Sequence, residues 1–272
     1  MSRIEQTFAE LKRRGKTGIS AYLTVGFPKL DSTVPIAEAI VQAGADMLEL
    51  GIPFSDPLAD GATIQRTNQA ALQNGVTLGA CLDVCAQLRK RLPNTPLILM
   101  GYYNPIFAMG LEDFASRAAA AGADGVIVPD LPPDEAGPLL AATRPKGLDV
   151  IFLIAPTSTE HRIIQVAKAS SGFVYCVSLT GVTGARADLA SGLPEFLARV
   201  RKHSRLPLAV GFGVSTGDHV RAVGQHAEAV IVGSALMQAV ESGGHAGAAQ
   251  AAKAFIASLS QGATKGAAEA RR

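Results

Sequence analysis

The chain has 272 residues, of which 48% are hydrophobic and 18% are charged, and its formal net charge is +2. This length suits one large α/β domain, and the near-neutral charge gives no indication of nucleic-acid binding. The first residues lack the basic-then-apolar layout of a secretory signal peptide, and 3 cysteines cannot form a full disulfide set, so we expect a cytoplasmic protein.

Short β-rich segments alternate with longer helical patterns along the chain. An amphipathic helix with Ile4, Phe8 and Leu11 on one face precedes the first strand. The predicted strands are residues 19–24, 46–51, 97–101, 125–128, 149–154, 173–177, 207–211 and 229–232. Eight strand–helix alternations predict an α/β fold, a (β/α)8 TIM barrel with an extra N-terminal helix. A doubly wound sheet is the alternative, but the Gly-rich fingerprint after its first strand is missing.

The chain shows no sign of a second domain, a membrane span or a metal site. Residues 1–261 are predicted to form a single barrel domain, and residues 262–272, which lack an apolar period, a mobile C-terminal tail. Prolines in the charge-free residues 92–111 favour a short strand and a loop over a membrane-spanning helix. Cys81 and Cys85 lie four apart on a predicted helix with no further ligand nearby, so we expect reduced, half-buried thiols.

One predicted strand carries an acid where comparable strands are apolar. Three strands follow similar Ala-rich junctions, which begin at residues 43, 121 and 227. When the strands are aligned on these junctions, Glu49 stands where the others have Ile127 and Ile231. A buried carboxylate costs several kcal/mol unless it is paired or put to use. The pattern therefore predicts a catalytic role for Glu49.

Asp60, eleven residues after Glu49, is the second candidate acid. Its spacing alone favours a helix cap, because a helical pattern starts at Gly61 and Asp is a common N-cap residue. Asp56, directly before Pro57, can equally be a turn residue. Together with Glu49, however, Asp60 suggests proton transfer at the mouth of a parallel sheet. The residues alone leave both interpretations of Asp60 open.

Glycine-rich segments follow the last three predicted strands. They are residues 178–186, residues 211–215 and Gly233-Ser234, the last directly at a helix start. Barrels tend to bind phosphate after strands seven and eight, and glycine N–H groups and helix N-termini favour anions. Glycine also closes ordinary turns, but three consecutive segments of this kind predict a phosphomonoester site.

Apolar and aromatic residues near the strand ends predict a flat substrate-binding surface beside the phosphate. The predicted lining is Tyr22, Ile64, Met100, Ile127, Tyr175, Phe212 and Ile231. Ordinary barrel filling is the alternative, and it explains Ile64 and Ile231 nearly as well. Because Tyr22, Tyr175 and Phe212 fall near strand C-termini, an aromatic or flat apolar substrate carrying a phosphate would fit.

The segment from Leu48 to Gly61, LELGIPFSDPLADG, resembles the tryptophan synthase α subunit family. The likeness covers almost the whole chain and includes Pro129-Asp130-Leu131-Pro132, Gly181-Val182-Thr183-Gly184, Gly211-Phe212-Gly213 and Gly233-Ser234. The resemblance implies a (β/α)8 barrel that cleaves indole-3-glycerol phosphate to indole and glyceraldehyde 3-phosphate. It further implies that the chain uses no cofactor itself, and that pyridoxal phosphate belongs to a partner β subunit in an α2β2 tetramer.

The same resemblance implies residue roles. The catalytic carboxylates correspond to Glu49 and Asp60, which replaces the capping interpretation of Asp60, and Thr183 joins the substrate-binding set. The implied phosphate-binding residues are Gly184, Gly213, Gly233 and Ser234. The implied β-subunit contacts are Pro53, Asp56 and Pro132. The chain departs from some members at Leu179, where they have arginine, and at Phe27, where they have aspartate.

The implied chemistry is a retro-aldol reaction in which the two acids have unlike roles. Glu49, with a raised pKa, would give and take protons, while Asp60 would stay ionised and accept a hydrogen bond from indole N1–H. Two other classes remain open. A phosphosugar isomerase or epimerase would explain the glycines but not the two acids, and a non-catalytic docking barrel would not need them. A stand-alone lyase that releases free indole is a further alternative.

Overall fold

The computed structural model describes residues 1–177, 192–211 and 213–264. Its strands lie close to the predicted segments, because each is a short apolar run bounded by Gly, Pro or polar turn residues. The strands in this part of the chain are β1 (Gly18–Thr24), β2 (Met47–Gly51), β3 (Leu97–Met100), β4 (Gly125–Ile127), β5 (Asp149–Ile151), β6 (Leu153–Ile154), β7 (Val174–Val177), β8 (Leu208–Gly211) and β9 (Ala229–Val232).

The strands form one parallel sheet in the order β5-β4-β3-β2-β1-β9-β8-β7-β6. The two ends of this order, β5 and β6, are separated in the chain by Phe152 alone. β5 pairs with β4, whereas β6 pairs with β7, and Tyr175 N–H donates to the Phe152 carbonyl at 3.1 Å. The predicted fifth strand is thus interrupted at Phe152, where the chain passes from one neighbouring strand to the other. This passage closes the sheet, so the predicted barrel is confirmed.

Helices cover the outside of the sheet, and the predicted N-terminal helix precedes β1. The helices in the described residues are α1 (Arg3–Arg14), α2 (Thr33–Gln42), α3 (Ala62–Gln73), α4 (Leu78–Arg91), α5 (Tyr103–Met109), α6 (Leu111–Ala120), α7 (Gly137–Thr143), α8 (Glu160–Ala169), α9 (Leu193–Arg201), α10 (Gly217–Gly224), α11 (Ser234–Ser242) and α12 (Gly244–Ser260), with 3-10 helices at Leu30–Ser32 and Arg144–Lys146.

The prediction of a loop after β3 is wrong, because the helix α5 follows that strand. α5 tolerates Pro105 because this proline lies in the first turn of the helix. Backbone N–H groups in a first turn have no acceptor within the helix, so the missing N–H of proline costs no hydrogen bond there. Over these same residues, no helix is both long and apolar enough for a membrane crossing.

The alternation of side chains along the strands separates two apolar clusters. Outward residues such as Leu48 pack with the helices in an outer cluster, and inward residues such as Met47 fill the barrel in an inner cluster. The apolar face of α1 belongs to the inner cluster, where the Phe8 and Phe173 rings lie 5.8 Å apart. α1 therefore closes one end of the barrel and leaves the other end as the mouth.

The acids at the repeated strand junctions have a structural role. Each accepts a hydrogen bond from a backbone N–H at or next to the start of a neighbouring strand. The pairs are Ile19 N–H to Asp46 at 2.9 Å, Leu97 N–H to Asp124 at 2.8 Å and Leu208 N–H to Glu228 at 2.7 Å. Asp124 also accepts from Arg3 of α1 at 2.9 Å and from Arg89 at 2.6 Å. These acids stabilise the closed end of the barrel and lie away from its mouth.

Residues 262–264, which the sequence placed in the tail, pack beside the start of β1. Ala263 is fully buried, Thr17 N–H donates to its carbonyl at 2.8 Å, and Lys16 and Thr264 form an antiparallel bridge. These contacts join residues 262–264 to the barrel. Residues 265–272 lie outside the described residues, and the division into one domain and a tail stays a prediction.

Candidate active site

Glu49 lies in the middle of β2 and points into the barrel, on the same side as Met47 of the inner cluster. It is completely buried, with 0% of its surface exposed. Its Oε1 accepts a hydrogen bond from Ser20 Oγ on the neighbouring strand β1 at 2.7 Å. Its Oε2 has no hydrogen-bond partner among the residues that the structure describes. A buried polar atom without a partner is costly and therefore unusual in a folded protein.

The surroundings of Glu49 change its acidity. Burial raises the pKa of Glu49 from 4.5 to about 7, and the hydrogen bond from Ser20 opposes part of that rise. Removal from water disfavours the charged carboxylate, whereas a donated hydrogen bond stabilises it. Near neutral pH the carboxyl is divided between protonated and ionised forms. The prediction of a raised pKa is confirmed, and such a group suits general acid–base work.

Asp60 does not cap the helix that follows it, so the capping interpretation is wrong. α3 begins at Ala62, its N-cap residue is Gly61, and no side chain makes a capping hydrogen bond. The Asp60 carboxylate, which is half-buried, instead accepts from Asn68 Nδ2 at 3.1 Å and is hydrogen-bonded to the Tyr102 hydroxyl. Two side chains from separate elements therefore hold the carboxylate in place.

Asp60 stays mostly ionised at neutral pH. Burial raises the pKa of Asp60 from 3.8 to about 6, while the hydrogen bonds from Tyr102 and Asn68 lower it. The pKa therefore remains below that of Glu49, about 7. Two carboxyl groups in unlike surroundings are suited to unlike tasks, with one exchanging protons and the other keeping its charge.

Sequence reasoning missed three residues that support the two acids. Ser20 carried the same signal as Glu49, a polar residue at an inward position of a buried strand. Tyr102 follows β3, where the aromatic strand-end pattern could have identified it, and its oxygen also accepts from Ala59 N–H at 2.9 Å. Asn68 is 2% exposed, and nothing in its local sequence separates it from other polar residues on a helix.

Two tyrosine rings occupy space that strand-end glycines leave free. Tyr22 of β1 and Tyr175 of β7 are buried, and a Cβ atom added to Gly211 would lie 2.5 Å from Cε1 of Tyr175. Burial raises the pKa of both tyrosine hydroxyls, and the nearby charges of Glu49 and Asp60 raise it further. The two acids and the two rings therefore share one region of the barrel.

The other predicted lining residues lie in different places. Ile127 and Ile231 belong to the inner cluster and Met100 packs against it, whereas Ile64 of α3 belongs to the outer cluster. Outside the described residues lie Thr183 and Phe212. Contact of any of these residues with a substrate stays a prediction.

The described glycines of the predicted phosphate site follow β8 and β9, which pair in the sheet. Gly213 has φ +84°, a conformation that favours glycine, and Gly233 is the N-cap residue of α11, which starts at Ser234. A Cβ atom at Gly233 would lie 3.7 Å from the Cβ of Tyr22, an ordinary contact, so packing does not require glycine there. Free N–H groups at a helix start favour an anion. Gly184 lies outside the described residues.

The residues predicted to contact a partner differ in exposure. Pro53 is buried, Pro132 is half-buried and Asp56 is exposed. Two apolar side chains that sequence reasoning missed are far more open: Leu58 in the loop after β2 is 93% exposed, and Phe107 of α5 is 62% exposed. Contiguous patches of such side chains mark surfaces that bind other proteins, whereas single ones are common on any protein.

Two open grooves on the surface of the described residues lie away from the two acids. A groove of about 780 Å³ lies between α2 and α4 on the outside of the barrel, and one of about 280 Å³ opens at the ends of β4 and β6 beside Pro132.

Over residues 1–177, 192–211 and 213–264, no group of three or more His, Cys, Asp or Glu side chains could hold a metal ion. Cys81, Cys85 and Cys176 are unpaired, and Cys81 and Cys85 are fully buried rather than half-buried as predicted.

The sequence matches one known family over nearly its whole length. The family model described as "Tryptophan synthase alpha chain" matches residues 8–268. The tryptophan synthase alpha chain of Roseiflexus castenholzii is 56% identical over 241 residues, which are 89% of this chain and 92% of the relative. That of Geobacter sulfurreducens is 48% identical over 241 residues, 89% of this chain and 91% of the relative.

Solved structures give the same result. A tryptophan synthase structure from Mycobacterium tuberculosis superimposes with a TM-score of 0.90 at 37% identity, covering 97% of this chain and 99% of that one. A tryptophan synthase alpha chain from Legionella pneumophila superimposes with a TM-score of 0.86 at 38% identity, covering 96% of this chain and 97% of that one.

Proposed function

The chain belongs to the tryptophan synthase alpha chain family, and we propose that Glu49 and Asp60 carry out the family's reaction in it. As a member of this family it is a lyase that cleaves indole-3-glycerol phosphate to indole and D-glyceraldehyde 3-phosphate. It works with a β subunit, which receives the indole and condenses it with serine to give tryptophan. Membership of the family sets aside the phosphosugar isomerase and the non-catalytic barrel.

The cleavage requires protons to move at two atoms. The bond between indole C3 and the glycerol side chain breaks, and its electron pair stays with C3, which gains a proton. The hydroxyl on the departing carbon loses its proton as that carbon becomes an aldehyde. No electrons enter or leave the substrate, so one proton gained and one lost complete the reaction. The enzyme therefore needs a group that both donates and accepts a proton near neutral pH.

Glu49 fits this requirement. The observation that carries the proposal is that its Oε2 atom is buried and has no hydrogen-bond partner among the described residues. A pKa of about 7 lets the carboxyl protonate C3 and take the hydroxyl proton without a large free-energy difference between its two states. Ser20 occupies only Oε1, so Oε2 remains available to the substrate.

Asp60 is suited to the indole nitrogen. As C3 is protonated, the ring becomes electron-poor and N1–H becomes a stronger hydrogen-bond donor. An ionised carboxylate at that atom stabilises the developing positive charge. Asn68 and Tyr102 fix the Asp60 carboxylate before the substrate binds, which removes the cost of reorienting it during the reaction.

The proposal places the indole ring among the buried side chains of the mouth and the phosphate at the glycines after β8 and β9. The predicted lining and phosphate residues keep these roles in the proposal, including Thr183, Gly184 and Phe212. The chain itself would use no cofactor, with pyridoxal phosphate confined to the β subunit. A cytoplasmic location is also part of the proposal, and the three unpaired cysteines are consistent with a reducing compartment.

Indole release from indole-3-glycerol phosphate, measured with and without a β subunit, tests the proposal. We expect slow turnover by the chain alone and much faster turnover in an α2β2 complex. The double variant Glu49→Gln/Asp60→Asn should still co-elute with the β subunit but release no indole above background. Indole release by that variant would refute the assignment of the two acids.

A further inference from the structure

Ser20 is a buried polar residue in a strand whose neighbours are apolar. It is 0% exposed and lies between Ile19 and Ala21, which belong to the outer cluster, so its own side chain points into the barrel. The strand registers place Met47 of β2 and Ile231 of β9 beside it, and their side chains offer no acceptor other than the weak thioether sulfur of Met47. A buried hydroxyl costs free energy unless it is hydrogen-bonded. The hydroxyl of Ser20 is directed to Glu49.

The contact between these two side chains has good geometry. Ser20 Oγ lies 2.7 Å from Glu49 Oε1, at the usual length of an O–H···O hydrogen bond. The terminal torsion of a glutamate has broad preferences, so the carboxyl plane of an unsupported Glu49 could rotate. The bond to Ser20 fixes that plane through one oxygen and leaves the other, Oε2, without a partner among the described residues.

We propose that Ser20 is a positioning residue for the lyase reaction: by holding Oε1 of Glu49, it directs Oε2 to the reacting atoms of the substrate. The inference rests on the proposed role of Glu49. In this role Ser20 acts through Glu49, so its contribution lies in how Glu49 is oriented and how readily it ionises. Because the donated hydrogen bond stabilises the carboxylate, loss of Ser20 would raise the pKa of Glu49 further above its ordinary value.

The test compares Ser20→Ala and Ser20→Cys with the wild type, each in complex with the β subunit. Ala removes the donor, whereas Cys keeps the approximate size and offers only a weak S–H donor. Ser204→Ala is the matched control, because Ser204 is also buried but accepts a local bond from Leu206 N–H at 3.2 Å. Measurements are kcat and KM across pH, and the titration of Glu49 by NMR of 13C-labelled glutamate, assigned with Glu49→Gln.

We expect kcat to fall about tenfold in both Ser20 variants with KM nearly unchanged, as for the loss of one hydrogen bond to a charged group. The limb of the pH profile that titrates Glu49, and its NMR titration, should both move to higher pH by about half a unit to one unit. The control should match the wild type in both.

Wild-type kcat and pH profile in Ser20→Ala, with Glu49→Gln inactive, would refute the role of Ser20 and leave the proposed function intact. Loss of kcat in Ser20→Ala with no shift in the NMR titration of Glu49 would show that Ser20 acts by filling space, which also refutes the inference. Near-normal activity of Glu49→Gln would instead refute the proposed function itself.

Discussion

Replacing Glu49 by Gln should raise stability while it removes activity. Burial raises the pKa of Glu49 from 4.5 to about 7, so the folded protein disfavours the ionised form. Below about pH 4.5 the carboxyl is protonated in both folded and unfolded states, and this group costs nothing. The cost grows as the pH rises from there and is complete above about pH 7. The interval between the two pKa values, at about 1.4 kcal/mol for each pKa unit, corresponds to about 3 kcal/mol.

Glutamine has nearly the same shape and is neutral at every pH. At pH 8.5, the free energy of unfolding of Glu49→Gln should therefore exceed that of the wild type by up to about 3 kcal/mol. This value is an upper bound, because the amide would place N–H groups where Oε2 now lacks a partner. Near pH 4.5 this gain should vanish, and Glu49→Gln should be no more stable than the wild type. Turnover should fall at least about a hundredfold, the low end for general acid–base catalysis.

Urea unfolding at both pH values and indole release from indole-3-glycerol phosphate would measure the two effects. Asp46→Asn is the matched control, because Asp46 accepts from Ile19 N–H and Lys16 at the closed end of the barrel. It should lose about 1–3 kcal/mol of stability and keep its turnover. If the stability difference between Glu49→Gln and the wild type is the same at pH 8.5 as at pH 4.5, the ionised carboxylate carries no burial cost and the reasoning fails. Near-normal turnover would remove Glu49 from the mechanism.

Three further substitutions test the rest of the site. Asp60→Asn should lose most turnover without a loss of thermal stability, because Asp60 caps no helix; a large loss of stability with activity retained would contradict this. Gly233→Ala should fold, since its Cβ has room, but should raise KM and weaken the protection that glycerol phosphate gives against thermal unfolding; undiminished protection would place the phosphate elsewhere. Leu58→Asp should leave the melting temperature of the isolated chain unchanged, because Leu58 is 93% exposed, and should weaken co-elution with the β subunit. An unaltered complex would exclude this loop from the interface.

The sequence by itself determined the barrel and its most unusual residue. Strand positions follow from local apolar runs and the turn residues between them, and these depend on near neighbours in the chain. Glu49 could be singled out for the same reason, because one acid interrupts a pattern that related strands repeat. The resemblance to the family motif then implied a catalytic role for Asp60, although its spacing alone favoured a helix cap.

Only the tertiary structure decided what surrounds the two acids. Whether Asp60 caps α3 depends on where that helix starts, and the side chains that hold its carboxylate come from positions 8 and 42 residues further along the chain. The bond from Ser20 to Glu49 joins residues 29 apart, and the interruption at Phe152 follows from the need to pair with both β4 and β7. Local patterns report burial, but pKa values and hydrogen bonds depend on which distant groups the closed sheet brings within a few ångströms.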